Sequence, residues 1–282
     1  MYYNLQLTNV IPDTIEKNII KAINKKPPQC YAKISDKEIS SLEKEFVNNI
    51  TYQKYNITID LIKSIRSSFI KNKMINKHFS LIQNTNKIIK DYNEQKSILQ
   101  ISKKYDGSPL NILRIILSNN NSKEKVKKMF NKPELLNEYD FKQFLIAKEN
   151  DDFALVNQNE ILDKANLFEE DIGKILSKNN INYKTQEILA QEQIKLYGKP
   201  INTPDFLIDG TLKINDKEIK WIDAKNFYGS DIKFVKSKIN EQTQKYIKTF
   251  GNGCIIFKLG FNDSYLNNPN ILFLSWNSFK IL

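Results

Sequence analysis

The stretch from Thr203 to Lys225 restricts the fold of this chain more than any other part of its sequence. It contains two short alternating apolar segments, with the turn-forming pairs Asp209-Gly210 and Asn215-Asp216 between them. Alternation with a period of two is typical of strands and not of helices. The stretch therefore predicts a β-hairpin or two paired strands.

Three charged side chains lie on these two predicted strands. Asp205 is at the start of the first strand, and Asp223 and Lys225 are two residues apart on the second. Because side chains alternate between faces, Asp223 and Lys225 share a face, and pairing of the strands brings Asp205 beside Asp223. Two carboxylates next to an ammonium group are suited to a hard cation such as Mg²⁺. The alternative is a structural ion pair at a strand edge.

The residues around these charges resemble a known family. The matching segments, in chain order, are Thr203-Pro204-Asp205, Trp221-Ile222-Asp223-Ala224-Lys225, Gln242 with Tyr246, and Phe250-Gly251-Asn252-Gly253. They resemble the TPD-motif nucleases, the family of the codanin-interacting nuclease, within the PD-(D/E)xK superfamily. The resemblance is clearest from Leu167 to Phe261.

The resemblance implies a DNA endonuclease that hydrolyses phosphodiester bonds with Mg²⁺ or Mn²⁺ as cofactor. Asp205 and Asp223 would act in catalysis as metal ligands, and Lys225 would orient the attacking hydroxide and offset charge in the transition state. Gln242 would hydrogen-bond the nucleophilic water or the phosphate. A solvated glutamine on a helix is the alternative for Gln242.

Three further residues are candidates by the same resemblance. Glu169 lies on the first core helix, where the family carries a glutamate that supports catalysis; the adjacent Glu170 is the alternative equivalent, and ordinary surface charge is the other alternative for Glu169. Glu187, on the predicted strand before Asp205, would be an additional metal ligand, and an ordinary surface charge is the alternative. Ala224 stands where family members tend to have serine, and it would contribute only its backbone carbonyl to the metal.

The family resemblance also implies a second role. The chain would be a binding or adaptor protein for a codanin-like scaffold, with the nuclease fold as its platform. The two roles are compatible, although a pure adaptor has no reason to keep Asp205, Asp223 and Lys225 together. The implied location is the nucleus and cytoplasm.

The order of predicted elements after residue 151 agrees with the resemblance. We predict a helix over 159–178, a strand-like segment over 183–189, the two strands with the aspartates, a helix over 231–249 and a buried strand over 254–257. Helix, three strands, helix, strand is the core order of PD-(D/E)xK enzymes. The predicted fold class is α+β, with residues 151–282 as a restriction-endonuclease-like α/β core.

Residues 1–150 are expected to form an all-helical domain that binds DNA. We predict a helix from Glu94 to Tyr105, a turn at Asp106-Gly107, and a second helix capped by Ser108. Two helices joined by a short turn with glycine are typical of a helix-turn-helix. The second helix would present Asn111 and Arg114 to bases or phosphates, although many helical pairs bind nothing.

The positive charge of the chain supports nucleic-acid binding by this first half. The net charge is +11, and residues 1–140 contain 24 of the 43 Lys and Arg residues but only 14 of the 32 Asp and Glu residues. The basic run that includes Lys125, Lys127 and Lys128 is the candidate phosphate-binding segment. A solvated helix face is the alternative.

Other features narrow the class of protein. No basic end followed by an apolar run begins the chain, and no apolar run reaches membrane-spanning length, so we expect a soluble intracellular protein. Cys30 and Cys254 are far apart and His78 is the single histidine, which argues against a zinc site, a disulfide framework or a histidine-dependent triad.

Overall fold

The structure is a computed structural model, and it describes residues 1–154 and 158–282. It is a mixed α and β fold. The helices are α1 (Asp13–Ile23), α2 (Asp36–Leu42), α3 (Ile59–Gln83), α4 (Thr85–Asn93), α5 (Ile98–Tyr105), α6 (Pro109–Ser118), α7 (Lys123–Asn131), α8 (Glu138–Glu149), α9 (Gln158–Lys178), α10 (Gln186–Tyr197), α11 (Lys233–Phe250) and α12 (Trp276–Phe279). The strands are β1 (Tyr2–Tyr3), β2 (Val10–Ile11), β3 (Tyr183–Thr185), β4 (Phe206–Ile208), β5 (Lys213–Ile214), β6 (Lys217–Glu218), β7 (Trp221–Lys225), β8 (Gly253–Phe257), β9 (Phe261–Asn262) and β10 (Ile271–Ser275).

The chain forms two compact units. The sheet unit comprises Met1–Ile19, Ser41–Ser68 and Gln158–Leu282, and the helical unit comprises Ile20–Ser40 and Phe69–Asn157. We predicted a division between residues 150 and 151, in the polar stretch 149–158. Residues 155–157 of that stretch lie outside the described residues. Two segments of the predicted N-terminal domain are thus part of the sheet unit.

The sheet unit is built on a five-stranded sheet with the strand order β10-β8-β7-β4-β3. Strands β10, β8 and β7 are parallel, whereas β4 is antiparallel to both β7 and β3. The predicted turn at Asn215-Asp216 is confirmed, because both residues have positive φ, 48° and 63°. It joins β5 and β6, a hairpin inserted between β4 and β7 that belongs to a separate sheet.

The first residues of the chain correct the expectation of an all-helical N-terminal half. Strand β1 pairs in parallel with β5, and β2 pairs in parallel with β9. Each of these strands has two residues, and its partner lies more than 200 residues away in sequence, as in the pairing of Tyr2 with Lys213. A local sequence pattern has no access to such pairings.

A second correction concerns the predicted strand over 183–189. The strand ends at Thr185, and α10 begins at Gln186. The sequence from Gln186 is rich in Gln, Glu, Leu and Ala, which favour a helix. Glu187 is therefore in the first turn of a helix, where its charge complements the helix dipole, and not on a strand.

Helices cover both faces of the five-stranded sheet. On one face Phe168, Ile172 and Leu176 of α9 pack against Ile222 of β7 and Cys254 of β8. On the other face the sheet packs against α11. The apolar cluster on this second face includes Trp221, Val235, Ile239, Tyr246, Ile255 and Phe257. Alternation along β7 therefore places Asp223 and Lys225 on the face that α11 covers.

The two helices predicted on either side of Asp106-Gly107 are α5 and α6 of the helical unit. Ser108 precedes α6 and its Oγ accepts a hydrogen bond from the Asn111 N–H at 3.3 Å, as expected for a cap. Helix α5 begins at Ile98 and not at Glu94, because Ser97 and Gln100 form a capping box at its N-terminus. Among the described residues, no helix combines the length and apolar character needed to cross a bilayer.

Candidate active site

The pairing of β4 with β7 sets the geometry of the candidate site. Phe206 pairs with Ile222 and Leu207 pairs with Trp221, so this antiparallel register places Asp205 opposite Asp223. The Asp205 Oδ2 accepts a hydrogen bond of 2.7 Å from the Ala224 N–H. The structure thus brings the two aspartates together as the strand pairing predicted.

Asp223 and Lys225 form an ion pair on the α11 face of β7. The Asp223 side chain is 1% exposed and the Lys225 side chain is 15% exposed. The Lys225 Nζ also donates a hydrogen bond of 2.9 Å to the Gln242 Oε1 on α11. The predicted same-face placement of Asp223 and Lys225 is confirmed, and Gln242 joins them.

A hydrogen-bond chain fixes the orientation of the Gln242 amide. The Gln242 Nε2 donates to the Asp223 Oδ1 at 3.3 Å and to the Tyr246 hydroxyl at 2.9 Å. The Tyr246 hydroxyl in turn donates to the Thr203 carbonyl at 3.2 Å, so it accepts from Gln242. This leaves the Gln242 Oε1 facing Lys225. Sequence reasoning gave Tyr246 no role, although its spacing of four from Gln242 places both on one helix face.

The indole of Trp221 contacts the Tyr246 end of this hydrogen-bond chain. Its Nε1 donates a hydrogen bond of 2.8 Å to the Gly251 carbonyl, and its ring lies 5.2 Å from that of Tyr246. Gly253 packs so closely that a Cβ there would lie 2.0 Å from the Trp221 ring. The Phe250-Gly251-Asn252-Gly253 segment thus positions Trp221, and Trp221 positions Tyr246.

The site concentrates negative charge, which changes the proton affinity of its acids. Asp205 is partly accessible, yet burial of its carboxyl group raises its pKa well above the usual range, and the charges of Asp223 and Glu169 raise it further. The Ala224 N–H and Lys225 oppose this shift less strongly. For Lys225, burial lowers the pKa, but the attraction of Asp223 and the other carboxylates outweighs it, so the pKa is raised.

An acidic cleft opens beside the aspartates. Glu169, Glu170, Glu187 and Asp205 are among the residues that line it. Glu169 is partly buried, and its pKa is raised by burial and by the charges of Asp223 and Glu187. Glu170 is exposed. Glu169 is therefore the less exposed of the two adjacent glutamates.

The donor set of the site fits a hard cation through two carboxylates. Within residues 1–154 and 158–282, no three carboxylate, imidazole or thiol groups lie close enough together to hold a metal ion, so Glu169 and Glu187 do not complete such a cluster. Asp223 Oδ2 is buried and, apart from its contact with Lys225, accepts no well-oriented hydrogen bond. Asp205, Asp223 and the Ala224 carbonyl offer oxygen ligands of the kind that Mg²⁺ and Mn²⁺ prefer.

The predicted nucleic-acid residues lie in the helical unit, and three of the five line the same groove. Asn111, Arg114 and Lys127 line a groove, whereas the exposed Lys125 and Lys128 are not among its lining residues. The Arg114 guanidinium lies 4.7 Å from the centre of a ring in the same unit, that of Phe130 in α7.

The chain is thus a mixed α and β protein with two aspartates held together by adjacent strands. Asp205 belongs to a Pro-Asp motif and Asp223 to an Asp-Xaa-Lys motif. A family model described as "Protein of unknown function TPD sequence-motif" matches residues 138–275, a range that includes Glu169, Asp205 and Lys225. The chain is also similar to "Uncharacterized protein L539" of Acanthamoeba polyphaga mimivirus. The two are 29% identical over 261 residues, which cover 91% of this chain and 79% of that protein. No solved structure gives a significant match to the chain.

Proposed function

We propose that this chain is a Mg²⁺- or Mn²⁺-dependent DNA nuclease with a PD-(D/E)xK type of site. The observation that carries the proposal is the register of β4 and β7, which sets Asp205 opposite Asp223 with Lys225 on the same strand face as Asp223. A structural ion pair requires one carboxylate, and here a second is held beside it. Carboxylates whose pKa is raised by a neighbouring carboxylate are typical of functional sites.

Asp205, Asp223 and the Ala224 carbonyl would hold the metal ion. When bound, the ion would polarise the scissile phosphate and lower the pKa of a coordinated water. Metal binding would favour the carboxylate form of Asp205, because that form is the ligand, and so would oppose the rise in its pKa.

Lys225 would act as a fixed positive charge and not as a base. Asp223 and Gln242 hold its ammonium group, and the raised pKa keeps that group protonated at neutral pH. From this position it would orient the attacking water and stabilise the negative charge that develops on the phosphate in the transition state. Gln242 would maintain the direction of the Lys225 ammonium group.

Glu169 would exchange a proton with the attacking water. It lines the same cleft as Asp205, and its pKa is raised by burial and by the Asp223 charge. A carboxylate with a raised pKa is a better proton acceptor near neutral pH than an ordinary glutamate.

The test is cleavage of a panel of linear, single-stranded, flap and junction DNAs with Mg²⁺ or with a chelator. The wild type should cut at least one substrate only with Mg²⁺, and Asp223→Asn should not cut it. Asp209→Asn is the matched control, because Asp209 is an exposed aspartate that follows β4 and lies outside the site. Asp223→Asn cleaving as fast as Asp209→Asn would refute the assigned site. A folded wild type that cuts no substrate would favour the adaptor role.

A further inference from the structure

A second concave site lies entirely within the helical unit. It is a groove of about 1050 Å³ between the C-terminal half of α3, α6 and α7. Apolar side chains from all three helices line it, namely Met74, Leu81, Ile82, Ile115, Val126 and Phe130. Covering the part of this surface that remains exposed would stabilise a bound apolar partner.

The charges of the groove are all of one sign. Arg114, Lys123 and Lys127 are lining residues, and no Asp or Glu is among the described residues that line it. None of the ion pairs found in residues 1–154 and 158–282 involves Arg114, Lys123 or Lys127. Arg114 is instead stacked over Phe130 at 4.7 Å, which holds a cation against the apolar lining.

An exposed apolar stripe on α3 extends this surface. Ile75, Phe79 and Ile82 are 51%, 71% and 49% exposed, and their spacing of four and three places them on one helix face. Ile82 also lines the groove, so the stripe and the groove are continuous. Large exposed apolar side chains that adjoin a groove mark a surface for protein contacts.

We propose that this groove binds an acidic amphipathic helix of a partner protein. Apolar side chains of that helix would occupy the groove, and its carboxylates would pair with Arg114, Lys123 and Lys127. The sequence assigned Asn111 and Arg114 of α6 to DNA. In the structure they line a groove of the protein that α3 and α7 also line. A recognition helix, by contrast, must enter the major groove of a DNA duplex. Contact with DNA phosphates would bury little of the apolar side chains that line the groove, so it would add little binding free energy.

The test is binding of designed peptides to the full chain, measured by fluorescence anisotropy. The probe is a labelled helix of about 20 residues, long enough to retain helicity, with leucines on one face and glutamates on the other. The matched probe carries lysines in place of the glutamates, and a labelled DNA duplex is the third ligand.

Helix α7 provides a matched pair of variants. Lys123→Glu with Lys127→Glu reverses two charges in the groove, and Lys125→Glu with Lys128→Glu reverses two exposed charges of the same helix that do not line it. The groove variant should raise the Kd of the acidic peptide at least about tenfold, and the control variant by less than about twofold. Ile82→Ser, a change at a half-exposed position, should also weaken binding several-fold. Thermal melts verify that each variant is folded.

Four results would overturn the proposal. Equal weakening by the two double variants would mean that general positive charge attracts the peptide. Equal binding of the acidic and basic peptides, or binding of neither, would remove the case for an acidic partner. If the groove variant weakened binding of the DNA duplex and left peptide binding unchanged, the groove would be a nucleic-acid surface.

Discussion

Asp205→Asn should separate stability from activity. The folded state raises the pKa of Asp205, first through burial and then through the charge of Asp223. A group with a raised pKa contributes its full stability below its usual pKa, and that contribution is lost as the pH rises through the folded-state pKa. Above the usual pKa of an aspartate, the metal-free wild type therefore loses stability as the pH rises. Asparagine removes the charge and retains an oxygen that accepts from the Ala224 N–H.

The size of the effect follows from the strand register. Directly opposite residues of an antiparallel pair have Cβ atoms about 5 Å apart, and two like charges at that separation repel by about 3 kcal/mol at an effective dielectric constant of about 20. Lys225 attracts both carboxylates, and the hydrogen bond from Ala224 weakens when its acceptor becomes neutral. A net gain of about 1–2 kcal/mol remains, which raises Tm by about 2–8 °C.

The assay is a thermal melt in chelator at about pH 5 and about pH 8, with Asp209→Asn as the control. Asp205→Asn should melt above wild type at the higher pH, with a smaller difference at the lower one. Saturating Mg²⁺ should then stabilise wild type by about 2.7 kcal/mol at 100 times the Kd and leave the variant unchanged. A variant that melts below wild type at the higher pH, or gains as much from Mg²⁺, would refute the reasoning.

Three further predictions concern two residues that position the site and one pair of exposed lysines. Tyr246→Phe removes the hydroxyl between Gln242 and Thr203, so the cleavage rate should fall about tenfold with DNA affinity unchanged. An unaltered single-turnover rate would show that the Tyr246 hydroxyl does not position Gln242. Gly253→Ala places a Cβ against the Trp221 ring and should lower stability by about 1–3 kcal/mol in urea unfolding, whereas an unchanged midpoint would mean that the indole moves freely. Lys125→Ala with Lys128→Ala should reduce the salt slope of DNA binding by about 1.8, since each lost phosphate contact removes about 0.9; an unchanged slope would identify a solvated face.

The charged residues of the site were predictable because their geometry is local. Asp223 and Lys225 share a face by alternation alone, and the 17 residues between Asp205 and Asp223 allow an antiparallel pairing. The identity of the acid on α9 was not predictable. Glu169 and Glu170 are adjacent and chemically equal, and their different exposure depends on how α9 rotates against the sheet.

Contacts between distant parts of the chain could not be predicted. Glu16 is an acidic residue in the first turn of α1. In the structure it is 2% exposed and accepts hydrogen bonds from Tyr228, Ser230 and Asn262, which lie more than 200 residues away. These bonds tie α1 to the segment that follows β7. No pattern of period two or 3.6 carries that information.

The most direct test of the proposed function is the single-turnover cleavage rate of Lys225→Met on a DNA that the wild type cuts. The methionine keeps the length of the side chain and removes its charge. If the ammonium acts on the transition state, the rate should fall at least about 100-fold while DNA affinity stays within about twofold. A rate equal to that of the wild type, with only a lower melting temperature, would show that Lys225 is a structural partner of Asp223 and would contradict the nuclease assignment.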